Sequence, residues 1–263
     1  MFFDRTTFLG IDPTAGRKPF VFAALDGDLR LLALGQGDMD EVLAFVAGQR
    51  QAIVAVCAPR QPNLHVMQRE EVRSQLNPPP RPGRWTNFRL AEYLLRQHNI
   101  SSPKTPAREK DSPKWMRMGF TLFKRLDGLG YHPYPAEDSQ HVTLEVYPHA
   151  SFTTLLGLVP FPKNTLEGRL QRQTVLHERK INVPDPMRFF EEITRHRLLR
   201  GVLPYEIIYS PGELDALVAA YTAWNAALHP EQVTCLGHPE EGQIVLPVNE
   251  LKKRYSHHAE SQG

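Results

Sequence analysis

An α/β fold is predicted by three observations. Short β-type runs open the chain, a run of consecutive apolar residues (Ala52 to Ala58) follows a helical segment, and helical spacing recurs through the second half. At 263 residues the chain is long enough to bury one large core. We therefore expect a single domain over 1–251 with an insertion at about 60–140, and a flexible polar tail over 252–263.

The elements follow in order. Thr7 to Asp12, Phe20 to Leu25 and Leu29 to Leu34 read as strands, the last two joined by Asp26-Gly27-Asp28, which has hairpin-turn chemistry. Met39, Val42, Leu43 and Val46 mark one face of a helix over Met39 to Gln49. Ala52 to Ala58 suits a strand covered on both faces. An antiparallel meander, a helix and a buried fourth strand is the opening order of ribonuclease H-like folds.

From Pro59 to Gln140 the pattern is irregular, and Asn77 to Gly83 (NPPPRPG) is too proline-rich for a regular element. Two helices with basic outer faces are predicted inside it, Asn87 to His98 and Lys114 to Leu126, flanking a polar basic segment, Ser101 to Asp111. Alternation then predicts a strand over Val142 to Tyr147 and a helix over Ala150 to Leu156. Asn164 to Glu178 and Pro186 to Leu198 read as charged helices that cover and pack. Ser210, Pro211 and Glu213 supply an N-cap, a first-turn proline and a capping-box glutamate for a helix over Pro211 to Ala227. Its Ala216, Ala219, Ala220 and Ala223 allow close approach to whatever lies beneath.

The formal charge of +2 conceals an uneven distribution. Residues 60–125 carry 14 Lys and Arg against 5 Asp and Glu, so the remainder is net acidic. Cys57 and Cys235 are the only cysteines and form no CxxC pair, which argues against a structural zinc site and a disulfide-dense secreted scaffold. The first residues lack the apolar run of a signal peptide, and no stretch approaches the roughly 20 apolar residues of a membrane helix. A soluble, cytoplasmic protein is the expectation. The adjacent His257 and His258 read as tail residues rather than metal ligands.

Three acidic residues, Asp12, Glu145 and Asp215, are the candidate metal ligands. A carboxylate at a strand exit, one on a second strand and one on a small-residue helix is how a sheet-based phosphodiester nuclease gathers oxygen donors for divalent cations. Each has an alternative. Asp12, held extended by Pro13, either faces a ligand at the carboxyl edge of the sheet or closes a turn on Thr14 and Gly16. Glu145 points away from Val142, Leu144 and Val146, and there it needs either a cation or an arginine partner. Asp215 is either a ligand or a favourable charge near a helix N-terminus. His149, after the EVYP segment, either orients water and shuttles a proton or sits in a surface turn. Arg84, Trp85, Arg89, Lys104, Arg108, Lys110, Lys114 and Trp115 mix cations with indoles, as a nucleic-acid surface does, although basic solvated helix faces look the same.

Taken together, GIDPT, the apolar strand ending in AVCAP, EVYPHASF and DALVAAYTA resemble the domain-of-unknown-function 429 family. The WTNFRLAEYLL and KNTLEGRLQRQ segments extend the resemblance over nearly the whole chain. It implies a ribonuclease H-like mixed five-stranded sheet flanked by helices, with Asp12, Glu145 and Asp215 binding Mg²⁺ or Mn²⁺ in a nuclease acting on DNA or RNA. It is also similar to the Holliday-junction resolvases, in which the last helix completes the acidic site. This chain departs from the family pattern at Cys57, where an aspartate is usual, and hard Mg²⁺ prefers oxygen to thiolate. Three carboxylates then suffice, or Glu70, Glu71 or Asp111 substitutes, or the protein is a catalytically silent module that binds nucleic acid or another partner. Cys57 as a nucleophile near His149 is a further reading. ATP binding, as in sugar kinases and actin-like ATPases, comes last, because the chain is short for two such domains and lacks a second glycine-rich phosphate loop.

Overall fold

A computed structural model describes residues 6–14, 19–77, 79–80, 83–136 and 139–257, and the Arg84 side chain lies outside the described ones. Its centre is a mixed sheet of eight strands flanked by helices. The strands are β1 (Thr7–Asp12), β2 (Phe20–Leu25), β3 (Leu31–Gly37), β4 (Ala52–Val56), β5 (His132–Pro133), β6 (His141–Glu145), β7 (Thr234–His238) and β8 (Gly242–Leu246). They run in the order β3-β2-β1-β4-β6-β8-β7, with β5 paired to β6. Strands β1, β4, β6 and β8 are mutually parallel, while β2 runs antiparallel to its neighbours and β7 antiparallel to β8.

The bounds predicted for β1 and β2 agree with the structure, whereas β3 starts at Leu31 rather than Leu29. Leu29 adopts φ +59° and turns its side chain into the core, held by an Asp26 carboxylate that accepts from the Asp28 and Arg30 amides. The sheet also exceeds the five strands expected. The hairpin β7–β8 joins it alongside β6, and β5 adds a short edge.

The helices are α1 (Met39–Ala47), α2 (Glu70–Ser74), α3 (Leu90–Gln97), α4 (Lys114–Gly128), α5 (Pro148–Leu156), α6 (Leu166–Glu178), α7 (Arg188–Glu191), α8 (Arg195–Leu199) and α9 (Pro211–Leu228). The helix expected over Pro186 to Leu198 is two short pieces, because Thr194 caps α8 through its hydroxyl and breaks the run. On one face of the sheet, α1 and α4 cover Leu9, Ile11, Val54 and Val56. On the other face, α9 covers Phe8, Ala55, Cys57, Leu144 and Val146. In the 60–140 segment, α4 therefore belongs to the main core, and α3 packs on the β7–β8 hairpin. None of the helices among the described residues is long and apolar enough to cross a membrane.

Gly10 sets the depth of α9. A Cβ at Gly10 would lie 1.9 Å from the Ala216 carbonyl oxygen and 2.9 Å from the Ala219 Cβ, so the helix backbone rests directly on β1. The capping box between Ser210 and Glu213 fixes where that helix begins. Burial of Leu214, Leu217 and Val218 stabilises the contact by about 1.5 to 3 kcal/mol per side chain.

The chain from Lys252 to His257, expected to be flexible, is held to the body. Tyr255 is buried, its amide donates to the His98 carbonyl, and Val159 donates to the Ser256 carbonyl. Residues 258–263 of that tail, including His258, lie outside the described residues.

Candidate functional site

Asp12 is the last residue of β1, paired with Val21 of β2, and Pro13 ends the strand there. Its Oδ1 accepts from the Thr14 amide at 2.9 Å, so the turn anticipated for Asp12 is present. Its Oδ2 accepts nothing from a described residue and lies over Gly212, where a Cβ would come within 3.5 Å of it. The first turn of α9 thus sits against the Asp12 carboxylate. Asp215, three residues beyond Gly212 on that helix, is 5 % exposed, and its Oδ2 accepts from Lys163 Nζ at 2.7 Å. Cys57, directly after β4, donates from Sγ to the Asp215 main-chain oxygen at 3.5 Å.

Burial, and then the neighbouring Asp215 charge, push the Asp12 carboxyl up to about 6. Burial also raises Asp215, against the pull of Lys163. For Lys163 itself, burial acts downward, but the Asp215 and Asp12 carboxylates outweigh it and hold the ammonium charged. The Cys57 thiol is driven well above its usual range by burial and by both aspartates, which keeps it protonated. These side chains open into a cleft of about 1200 Å³. Tyr147, His149, Trp115, Arg172 and a proline-rich wall that includes Pro103, Pro160 and Pro162 complete it. His149 is pushed down to about 4 by burial and by Arg172 and Lys163, so it is neutral near pH 7.

Glu145 does not join the aspartates. The register pairs Ile11 with Val56 and Val56 with Glu145, and the side chains of Ile11 and Val56 face α1 and α4. By strand alternation Glu145 therefore lies on the face opposite Asp12. Both its oxygens are taken by Arg89, Nη1 to Oε1 at 2.7 Å and Nη2 to Oε2 at 2.8 Å, and Oε2 also accepts from the Arg60 amide. Of the two readings offered for Glu145, the arginine partner is the one observed.

The proposed nucleic-acid residues separate in the same way. Arg89 is fully buried in that ion pair, which removes it from any phosphate-binding surface. Trp85 packs against Val66, Met67 and Leu90 under the Arg73 guanidinium, so it is no free stacking platform. Lys104, Arg108, Lys110 and Lys114 are exposed, with Arg108 paired to Asp111, and Trp115 faces the cleft. Glu70, Glu71 and Asp111 do not line the cleft. The sequence reading missed Lys163 and Arg172, because the segment around them carries no active-site signature. The pair of prolines around Phe161 was the one local signal that this stretch is a fixed loop rather than a helix extension.

The donor set bears on the metal expectation. Among the described residues, no three His, Cys, Asp or Glu side chains gather closely enough to hold an ion. Asp12 Oδ2 and Asp215 Oδ1 each lack a described hydrogen-bond donor, and such a pair suits a hard cation that keeps several waters and takes substrate phosphate oxygens, as Mg²⁺ does. A protonated Cys57 adds no ligand of that kind.

No curated protein and no solved structure shows a significant match to the chain. A family model does match, over residues 10–241, an interval that contains Asp12, Cys57, His149, Lys163 and Asp215. Since that match covers most of the chain, the chain belongs to the family described as Protein of unknown function (DUF429).

Proposed function

We propose that the protein hydrolyses phosphodiester bonds of a nucleic acid with Mg²⁺ or Mn²⁺ held by Asp12 and Asp215, on a ribonuclease H-like core. The order β3-β2-β1-β4-β6 with β2 antiparallel supports the core reading. The convergence of Asp12 and Asp215 in one cleft, each with an oxygen turned from other described donors, carries the functional one. The Asp215 charge helps to raise the Asp12 carboxyl, and a bound cation would relieve that repulsion.

A bound divalent ion would supply Lewis-acid stabilisation of charge developing on the phosphoryl group. The residues supply the rest. Asp12 and Asp215 would hold the cation, Lys163 would place a positive charge beside them for phosphate oxygens, and neutral His149 would orient water by hydrogen bonding rather than by charge. Lys104, Lys110 and Lys114 would hold the backbone, and they carry no sequence information. Glu145 has no part in the ligand set.

With Mn²⁺ present, the parent is expected to cut at least one member of a panel of single-stranded and structured DNA and RNA. Asp12→Asn should lower that cleavage on the order of 100-fold or more, the scale on which one electrostatic stabiliser acts. Equal cleavage by Asp12→Asn overturns the proposal.

Cys57 motivates the second reading, a silent nucleic-acid-binding module, since a thiol stands at the site and Lys163 already offsets Asp215. It predicts binding that weakens steeply with salt and no cleavage. Unchanged affinity after neutralising Lys104, Lys110 and Lys114 together counts against it.

A further inference from the structure

The loop Val159 to Lys163 is fixed from four sides. The Val159 amide donates to the Ser256 carbonyl at 2.8 Å, and the Phe161 amide donates to Gln171 Oε1 at 2.9 Å. The Phe161 carbonyl accepts from Arg172 Nη1 at 2.8 Å, and the Pro162 carbonyl accepts from the Thr165 amide at 3.1 Å. Pro160 and Pro162 lock φ on both sides of Phe161. The backbone therefore has little left to lose on binding.

In spite of that anchoring, Phe161 is 53 % exposed and lines the cleft. Two residues on, the Lys163 ammonium stands half-exposed beside Asp215. Two residues of backbone reach at most about 7 Å, so the two side chains belong to one short stretch of cleft wall. An anchored loop thus offers an aromatic ring and a cation to one ligand, as a base and its adjoining phosphate require. The exposed Lys104 and Lys114 adjoin the cleft residues Pro103 and Trp115, which adds positive charge beside a cleft whose lining also includes aromatic and proline side chains. In a duplex the base faces are covered by their neighbours and leave nothing for an exposed ring to stack on. An unpaired base meets both requirements.

We infer that the Val159–Lys163 loop binds an unpaired nucleotide, Phe161 stacking on the base and Lys163 meeting the adjoining phosphate, so that the cleft takes single-stranded nucleic acid. This rests on the nucleic-acid reading of the same site. Fluorescence anisotropy on the full chain in EDTA tests it, with a labelled 12-residue DNA strand, an RNA strand of the same sequence and a blunt DNA duplex. At least one of the single strands should bind about 10-fold or more tightly than the duplex. Phe161→Ala should lose on the order of 10-fold of that affinity and leave duplex binding unchanged, and Phe161→Trp should restore it. Circular dichroism confirms that the variants fold. The inference is overturned if Phe161→Ala binds both single strands as the parent does, or if the duplex binds as tightly as the tighter-binding strand. Should that happen while Asp12-dependent cleavage persists, the loop assignment alone fails. If neither binding nor cleavage of any nucleic acid is found, the reading of the site fails with it.

Discussion

Two clusters of buried charge lie near the carboxyl edge of the sheet on opposite faces, and they differ in how completely they are satisfied. Arg89 and Glu145 form a bidentate pair, with Arg89 also donating to the Glu241 and Gly242 carbonyls. Glu92 accepts from Thr105, and Glu241 accepts from the Leu64 and Leu90 amides. The carboxylate oxygens of this cluster are well supplied, although the buried Arg89 Nε has no hydrogen-bond partner among the described residues. Across the sheet, Lys163 bonds Asp215 alone among the described residues, Asp12 accepts from the Thr14 amide, and both carboxylates line an open cleft. Buried charges well supplied with partners hold a fold together, whereas buried charges with few partners in a cleft are candidates for a ligand site. On the proposed function, the same residue types do different work within one protein.

The largest effect separating the two clusters is on stability. Arg89→Met leaves Glu145 buried and unpaired and should cost about 3 to 5 kcal/mol in urea unfolding, while Arg89→Met with Glu145→Leu should recover most of it. A double substitution as unstable as the single one would show that the pair does more than neutralise itself. Gly10→Val drives Cβ into the Ala216 carbonyl and should cost about 1 to 3 kcal/mol, with loss of cooperativity if α9 lifts from β1.

At the cleft the effect depends on pH. Asp12 has a folded-state pKa of about 6, above its ordinary value of 3.8, so the folded protein binds the proton more tightly than the unfolded chain does. Its stabilising contribution is complete below about pH 4 and is lost as pH rises through 6. Asp12→Asn should remove that loss, and its stability relative to the parent should increase between pH 4 and pH 7 without metal. Glu92, raised to about 7 by burial, is present in both proteins and cancels from the difference. A parent and variant with parallel pH profiles would place Asp12 among the satisfied charges. The smallest effect belongs to the exposed pair of Arg125 and Asp40, whose removal should change stability by less than about 1 kcal/mol.

Sequence patterns showed one cluster better than the other. Asp12 and Asp215 were legible because a proline ends the strand after the first and a capping box fixes the helix that carries the second. Glu145 carried the same strand signal as Asp12, yet its face depends on the register between β1, β4 and β6, which no local pattern encodes. Arg89 sits at a basic-looking helix start and gives no sign of being fully buried. Lys163 lies in a loop without periodicity, and its approach to Asp215 spans 52 residues of sequence. The β7–β8 hairpin was missed because Gly237 and Gly242, both at positive φ, interrupt its alternation.

The central claim is that the unsaturated pair binds a divalent cation, and calorimetric titration of Mn²⁺ into the parent and into folded Asp12→Asn tests it most directly. Saturable binding in the parent that Asp12→Asn abolishes, with Glu145→Gln retaining it if that variant remains folded, is the predicted result. No binding in the folded parent, with or without a non-cleavable oligonucleotide to complete the coordination shell, would contradict it.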